Sequence, residues 1–168
     1  MLELGCGAAG YLRHACARNP EATAVGLDFD ADVLADAREH VAAAGMSDRV
    51  ELIEGDMRTI ELEQKFDTVL MINLLYYVPV DERAATIAKL AGHLAPGGRL
   101  MIAGNCKGGT IGNNVLDIWF TALPECGGLP SRDETMAYLK DAGLEVEPPL
   151  RPMPGEEFYA ITGVAPAA

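Results

Sequence analysis

Three glycines and two carboxylates near the start of the chain have the types and the spacing to hold a polar ligand. Gly5, Gly7 and Gly10 follow a short apolar segment with the spacing G-x-G-x-x-G. Glycine suits such a turn because it adopts positive φ and because a side chain would keep a ligand away from backbone N–H groups and a helix N-terminus. The pattern therefore predicts a site for a ribose or a partly anionic group. By itself the spacing fits a nicotinamide dinucleotide equally well.

The two acids narrow the choice of ligand. Glu3 lies just before Gly5 in an otherwise apolar segment, where a buried carboxylate is costly unless a cation such as a ligand ammonium pairs with it. Asp28 ends the next apolar run, residues 23–27, and can accept hydrogen bonds from ribose hydroxyls beside the glycine turn. One acid for an amine and one for a ribose describes S-adenosylmethionine better than NAD.

Composition excludes several other classes of function. The formal net charge is −12, with 13 basic against 25 acidic residues, and a nucleic-acid partner would need clustered Lys and Arg. No apolar run approaches the roughly 20 residues of a membrane span. The cysteines form no CxxC pair, which disfavours a metal site and favours a reduced, cytoplasmic compartment. We therefore expect a small-molecule or protein acceptor, with no membrane, metal or nucleic acid involved.

Alternating strands and helices must position these residues. The predicted strands span residues 1–4, 23–28, 49–54, 66–72, 99–103, 144–150 and 158–164. The predicted helices span 9–19, 31–44, 81–95, 115–122 and, from a capping box at Ser131 and Glu134, 131–143. The glycine-rich segment 104–114 is predicted to be a mobile loop. The connection between the last two strands is too short for a helical crossover, so they should pair antiparallel.

This order of elements predicts an α/β fold. Five β-then-α units followed by an antiparallel pair give a doubly wound, seven-stranded, mostly parallel sheet of the Rossmann-like type, with the last strand reversed. A dinucleotide dehydrogenase of this type would end in another parallel strand. In either topology the ligand should lie outside the carboxyl ends of the strands, at the switch point between the first and fourth.

The chain resembles the class I S-adenosylmethionine-dependent methyltransferases. Residues 2–7 (Leu-Glu-Leu-Gly-Cys-Gly) and 25–28 (Val-Gly-Leu-Asp) look like the first two motifs of that family. The resemblance extends to about residue 164, so residues 1–168 are interpreted as one domain, and it implies the strand order 3-2-1-4-5-7-6. It also implies S-adenosylmethionine as cofactor, held by Glu3, Gly5, Gly7, Gly10, Asp28, Phe29, Asp56, Met57 and Asn73.

Within that set, the resemblance gives some residues separate roles. Asp56 would accept a hydrogen bond from the adenine amino group, and Met57 would pack on the ring. The backbone carbonyl of Asn73 would help hold the amino group of the cofactor. Tyr76 and Tyr77, just after the fourth strand, are candidates for the wall of the acceptor pocket.

The catalytic residue stays unassigned. The C-terminal third loosely resembles small-molecule O-methyltransferases, which place a histidine after the fourth strand as general base. Here that place holds Tyr76 and Tyr77, which counts against base-assisted O-methylation. His14, His40 and His93 all fall on predicted helices and are expected to have surface or packing roles.

The resemblance also implies helices before the first strand that cover the cofactor, whereas here Met1 already belongs to that strand. We therefore expect either a truncated N-terminus or a lid supplied by a partner chain or a homo-oligomer. The expected function is methyl transfer from S-adenosylmethionine to a small-molecule acceptor. The alternatives are a non-catalytic S-adenosylmethionine-binding module and, less favoured, an NAD-dependent oxidoreductase.

Overall fold

A seven-stranded sheet forms the body of the protein in a computed structural model that describes residues 1–168. Its strand order is β3-β2-β1-β4-β5-β7-β6. The pairs among β1 to β5 are parallel, and β7 is antiparallel to both β5 and β6. The predicted order and the reversed last strand are therefore confirmed. The strands are β1 (Leu2–Leu4), β2 (Ala24–Asp28), β3 (Val50–Glu54), β4 (Phe66–Ile72), β5 (Leu94–Asn105), β6 (Glu145–Val146) and β7 (Phe158–Val164).

Five α-helices connect or flank these strands. Each of the first two parallel crossovers, β1 to β2 and β2 to β3, passes through one helix. Two short 3₁₀ turns, Leu75–Tyr77 and Val80–Glu82, separate β4 from the helix that leads to β5. None of the helices has both the length and the apolar character that crossing a membrane requires. The helices are α1 (Gly10–Arg18), α2 (Ala31–Ala43), α3 (Arg83–Gly92), α4 (Ile111–Ala122) and α5 (Arg132–Asp141).

The short central strand β1 fixes the position of the site. Leu4 is in register with Leu27 of β2 on one side and with Met71 of β4 on the other. All three side chains are buried, and burying each apolar side chain is worth about 1.5–3 kcal/mol. The carboxyl ends of β1, β2 and β4 therefore lie side by side at one end of the sheet. This is the switch point, because the strand order continues to one side of β1 with β2 and β3 and to the other side with β4 and β5.

Two apolar clusters fix the helices to the sheet. The first joins α1 and α2 to β2 and β3, and it includes Leu12, Cys16, Leu34, Val41 and Val50. The second joins α3 and α5 to the centre and reversed edge of the sheet, and it includes Val69, Ile87, Leu100, Leu139 and Ile161.

The prediction for residues 104–114 is partly wrong. Gly104 and Asn105 belong to β5, and α4 begins at Ile111 instead of residue 115. The earlier start follows from a side-chain cap, since the Thr110 hydroxyl accepts a hydrogen bond from the backbone N–H of Asn113. The side chain of Asn113 is itself buried and donates to the carbonyl of Cys106.

The sixth strand is shorter than predicted. It spans Glu145–Val146 instead of residues 144–150. Pro148 and Pro149 follow in the sequence, and proline has no backbone N–H to donate to a neighbouring strand. Pairing with β7 resumes in a single bridge between Leu150 and Ala160.

Candidate functional site

The turn after β1 is a glycine cradle that is open on one side. Gly5 and Gly7 have φ angles of +59° and +52°, a region that favours glycine. A Cβ atom at Gly5 would lie 2.9 Å from Cδ1 of Leu74, whereas at Gly7 and Gly10 it would meet no protein atom within 4 Å. Packing therefore explains the glycine at position 5. The open space at the other two leaves room for a ligand against the backbone.

Glu3 is a buried acid with an unpaired oxygen. Its residue surface is 3% exposed, and its Oε2 has no hydrogen-bond partner. Burial raises the pKa of this carboxyl from 4.5 to about 7, against a hydrogen bond from the backbone N–H of Leu12 that favours the ionised form. The side chain lines the cleft beside the glycine turn. An unpaired buried acid facing a cleft could pair with a cation that enters the cleft.

Asp28 is held against the same turn. Its Oδ2 accepts a 2.9 Å hydrogen bond from the backbone N–H of Gly7, and its Oδ1 accepts one of 3.2 Å from Asp30. These bonds fix the carboxylate at the end of β2, directly beside the glycine cradle. Phe29 follows with 79% of its surface exposed, so its ring is free to cover a ligand.

Asp56 lies in the turn after β3. Gly55 ties this turn to β2, because its N–H donates to the carbonyl of Asp28 at 2.9 Å. Hydrogen bonds from Arg58 hold the pKa of the Asp56 carboxyl below its usual value. Met57 is partly buried against the second apolar cluster. Both predicted adenine-site residues thus lie one strand further along the edge from Asp28.

Asn73 stands at the end of β4 with an unusual backbone. Its φ is +52°, which few residues other than glycine adopt, asparagine being the most tolerant. Its N–H donates to the carbonyl of Ala103 at 2.7 Å, so the turn is anchored to β5. Asn73 lines both cavities at this edge of the sheet.

The larger cavity is an open cleft at the end of β1, with a volume of about 960 Å³ that includes solvent. Tyr11 and His14 form part of its wall, although neither was predicted as a site residue and His14 was assigned a surface or packing role. Both follow the glycine turn and lie one helical turn apart on α1, so they share one face of the helix. Their position directly after the turn was the feature of the sequence that could have identified them as site residues. The lining residues are Glu3, Gly5, Cys6, Gly10, Tyr11, His14, Ile72 and Asn73.

The smaller cavity is mostly apolar; its volume of about 270 Å³ includes open solvent, and the enclosed space is only about 10 Å³, the room of a single water molecule. Tyr76 lines it and stacks on Phe120 with the ring centres 4.1 Å apart, while Tyr77 meets Phe120 edge-on at 5.5 Å. Burial raises the pKa of Tyr76 to about 12 and that of Cys106, also in the lining, to about 11. Neither group is therefore a proton acceptor near neutral pH.

The three acids form a row along the sheet edge. Glu3 is in β1, Asp28 ends β2 and Asp56 follows β3, and adjacent strands are about 4.8 Å apart. An elongated ligand lying across these strands would meet an acid for a cation, an acid for hydroxyls and an acid for an amino-bearing ring, in that order. No group of three or more His, Cys, Asp or Glu side chains is arranged to hold a metal ion.

Comparison with known proteins gives a consistent family. Residues 1–98 match the family model described as a methyltransferase domain. A probable fatty acid methyltransferase of Pseudomonas putida is 29% identical over 150 residues, which cover 87% of this chain and 38% of that protein.

Solved structures show the same fold. An O-methyltransferase family protein from Burkholderia thailandensis superposes with a TM-score of 0.85 at 23% identity, covering 99% of this chain and 51% of that one. The O-methyltransferase NcsB1 of neocarzinostatin biosynthesis, crystallised with S-adenosylmethionine and 2-hydroxy-5-methyl naphthoic acid, has a TM-score of 0.79 at 18% identity, with 98% and 48% coverage. The chain thus spans about half the length of these structures, and less of the curated relative.

Proposed function

Because this chain belongs to the class I S-adenosylmethionine-dependent methyltransferase family, we propose that its cleft binds S-adenosylmethionine and that the protein methylates a small-molecule acceptor. The observation that carries the proposal is Glu3, whose buried carboxylate has an unpaired oxygen beside an open cleft. The amino group of the cofactor is the cation that would pair with it. We further propose that residues 1–168 act as one cofactor-binding domain.

The remaining contacts suit the rest of the cofactor. Asp28, fixed by the N–H of Gly7, is proposed to accept from the ribose hydroxyls. Gly7 and Gly10 leave space for the ribose and the amino-acid chain to lie against the backbone. Asp56 and Met57 are proposed to take the adenine, and Phe29 to cover it. The proposed role of Asn73 is to direct its carbonyl at the amino group.

When bound, the cofactor supplies an electrophilic methyl group on a sulfonium centre. The protein then has to align the acceptor with the methyl group and exclude water. When the acceptor has no proton to lose, this alignment accounts for more of the rate enhancement than acid–base catalysis does. We propose that the acceptor lies against the apolar surface next to Asn73, because the enclosed space of about 10 Å³ there is too small to hold it. Tyr76, which stacks on Phe120, would form part of that surface. The Tyr76 hydroxyl, with its raised pKa, would stay protonated and orient the acceptor as a hydrogen-bond donor.

A calorimetric titration with S-adenosylhomocysteine, in parallel with NAD, tests the cofactor assignment. We expect binding of the first ligand and none of the second. Asp28→Ala should weaken binding about tenfold or more, because two ribose hydroxyls lose a charged acceptor. Glu51→Ala, a change at an exposed acid on β3, is the matched control and should leave the affinity unchanged. An unaffected Asp28→Ala variant would remove Asp28 from the site.

The alternative is a module that binds the cofactor without catalysis. It is favoured by the lining of the apolar cavity, which contains no histidine or carboxylate that could act as a base. Methyl transfer from labelled S-adenosylmethionine to a library of small acceptors separates the two. Binding without any transfer would support the module.

A further inference from the structure

Arg83, the first residue of α3, is a buried cation that pairs with no carboxylate. Its residue surface is 1% exposed, and it is the largest of the fully buried side chains. None of the ion pairs in the structure includes it. Burial lowers the pKa of its guanidinium, against the attraction of the more distant Tyr138, Glu134 and Asp117. Because a buried charge without a partner is costly, its hydrogen bonds should serve a purpose that an apolar side chain could not.

The guanidinium joins two segments that both line the smaller cavity. Its Nε donates to the carbonyl of Val78 at 3.1 Å, directly after the 3₁₀ turn that contains Tyr76. Its Nη2 donates to the carbonyl of Gly128 at 2.6 Å, within residues 123–131, which we call the α4–α5 connection. Tyr76 of the first segment and Pro130 of the second belong to the cavity lining. One buried side chain therefore fixes the separation of these two segments.

The α4–α5 connection approaches Arg83 so closely that a side chain would not fit at position 127. A Cβ atom at Gly127 would lie 2.6 Å from Nη2 of Arg83 and 2.6 Å from the carbonyl oxygen of Val78. The N–H of Gly127 donates to the carbonyl of Tyr76 at 3.0 Å, so the two backbones are in direct contact. The close approach thus depends on the guanidinium and on the missing side chain at position 127.

The same connection holds α4 and its aromatic residue in place. Asp117 of α4 accepts a 2.8 Å hydrogen bond from the N–H of Leu129. Phe120, one helical turn further along α4, stacks on Tyr76 with the ring centres 4.1 Å apart. The contacts therefore lead from Arg83 through the connection to α4, and from Phe120 back to Tyr76. Loss of the two Arg83 hydrogen bonds should loosen this stack without removing any group that faces a ligand.

We propose that Arg83 is a positioning residue for the acceptor, holding Tyr76 and the α4–α5 connection at the separation that lets the acceptor lie against the apolar surface next to Asn73. This inference rests on the proposed function, because it takes that surface as the place of the acceptor. Arg83 itself is too buried to touch either ligand. The cleft that Glu3 lines contains no residue of the two joined segments, so loss of Arg83 should affect the acceptor and not the cofactor.

Methyl transfer from labelled S-adenosylmethionine tests this role, with the acceptor that the parent methylates fastest among simple phenols, alcohols and amines. Arg83→Met keeps the length of the side chain and loses the donors. The KM for the acceptor should rise about tenfold or more in this variant, while the affinity for S-adenosylhomocysteine stays within about twofold. Arg83→Lys keeps the charge but not the two-donor fork, so its KM should lie between those of Arg83→Met and the parent. Val41→Ala, a change at a buried residue of the first apolar cluster, controls for lost stability and should leave this KM unchanged.

A second pair of variants perturbs the same contact from the side of the connection. Gly127→Ala places a methyl group against Nη2 of Arg83 and the carbonyl of Val78, so it should raise the KM for the acceptor as Arg83→Met does. Gly92→Ala is the matched control, because a Cβ atom at this last residue of α3 would meet no protein atom within 4 Å. This pair decides the question if Arg83→Met does not fold.

The ring contact provides a readout that needs no ligand. NMR cross-peaks between ring protons of Tyr76 and Phe120 should be clear in the parent, because the rings are stacked. These cross-peaks should weaken or disappear in Arg83→Met and in Gly127→Ala. They should persist in Val41→Ala, even though that variant is less stable, because its cavity lies in the other apolar cluster.

The outcomes separate the inference from the function it rests on. An unchanged KM for the acceptor, or an intact ring contact, in Arg83→Met would overturn the role of Arg83 and leave the methyltransferase function standing. An affinity for S-adenosylhomocysteine that falls by the same factor as the KM rises would also overturn it, because that is the result of a merely structural arginine. No methyl transfer by the parent would refute the proposed catalysis and the positioning role with it.

Discussion

Replacing Glu3 by glutamine should make the ligand-free protein more stable at neutral pH while weakening the site. Glu3 is 3% exposed, and burial raises its pKa from 4.5 to about 7. The native state therefore holds this proton more tightly than the unfolded chain does. Below pH 4.5 both states are protonated and Glu3 costs nothing. As the pH rises from 4.5 through about 7, the unfolded chain ionises more readily, and stability is lost.

The size of the effect follows from the two pKa values. One unit of difference is worth about 1.4 kcal/mol, so the penalty above pH 7 is about 3 kcal/mol. Glutamine has nearly the same shape, can still accept from the N–H of Leu12 and carries no charge to desolvate. The stability difference between Glu3→Gln and the parent should therefore be small at pH 5 and grow to about 3 kcal/mol in favour of the variant at pH 8.

Urea unfolding of both proteins at half-unit steps from pH 5 to pH 8.5 measures this difference, since all other titrating groups cancel in it. Glu63→Gln, at an exposed acid, should show no such growth with pH. S-adenosylhomocysteine should bind Glu3→Gln more weakly than the parent, because the amino group of the ligand loses its charged partner. A stability difference that does not change with pH, or a parent that is the more stable protein at pH 8, would refute this account of Glu3.

Two further predictions concern packing and surface. Gly26→Ala should destabilise the fold by about 2 kcal/mol or more in urea unfolding, because the added Cβ would lie 2.8 Å from side-chain atoms of Cys6, Leu12 and Leu52; a stability equal to the parent would contradict this. Trp119, the only tryptophan in the chain and 65% exposed, should emit as a solvent-exposed indole and be quenched freely by acrylamide. Shielded emission would instead show that another chain or copy covers α4.

The mixed α/β sheet with its reversed last strand was predictable from few signals in the chain, whereas the strand order came from the family resemblance. Alternating apolar runs and helical segments allow few right-handed arrangements, and the short Pro-rich connection before β7 forces an antiparallel pair. The positions of Glu3, Asp28 and Asp56 follow from the same order, since each lies in or just after one of three adjacent strands. The row of three acids can therefore be predicted once the ends of these strands are identified in the sequence.

The start of α4 could not be predicted from local composition. Residues 104–114 are rich in glycine and asparagine, which favour loops, yet tertiary contacts decide the outcome. The Thr110 cap and the buried hydrogen bond from Asn113 to Cys106 stabilise the first turn. The hydrogen bonds from Arg58 to Asp56 likewise depend on the backbone conformation of the turn after β3, which the local sequence does not determine.

The energetics of the site explain why these features occur together. Around the carboxyl ends of β1 and β4 the chain contains an unpaired buried acid, Glu3, and two residues other than glycine with positive φ, Ala9 and Asn73. Each of these costs free energy in the absence of a ligand. Leu2 and Leu4, which flank Glu3 in β1, are almost fully buried and hydrogen-bonded to strands on both sides. The same three-residue strand thus combines two fully buried leucines with an unpaired buried acid. A ligand that brings a cation to Glu3 removes that cost, so the same concentration of S-adenosylhomocysteine should raise the stability of the parent more than that of Glu3→Gln.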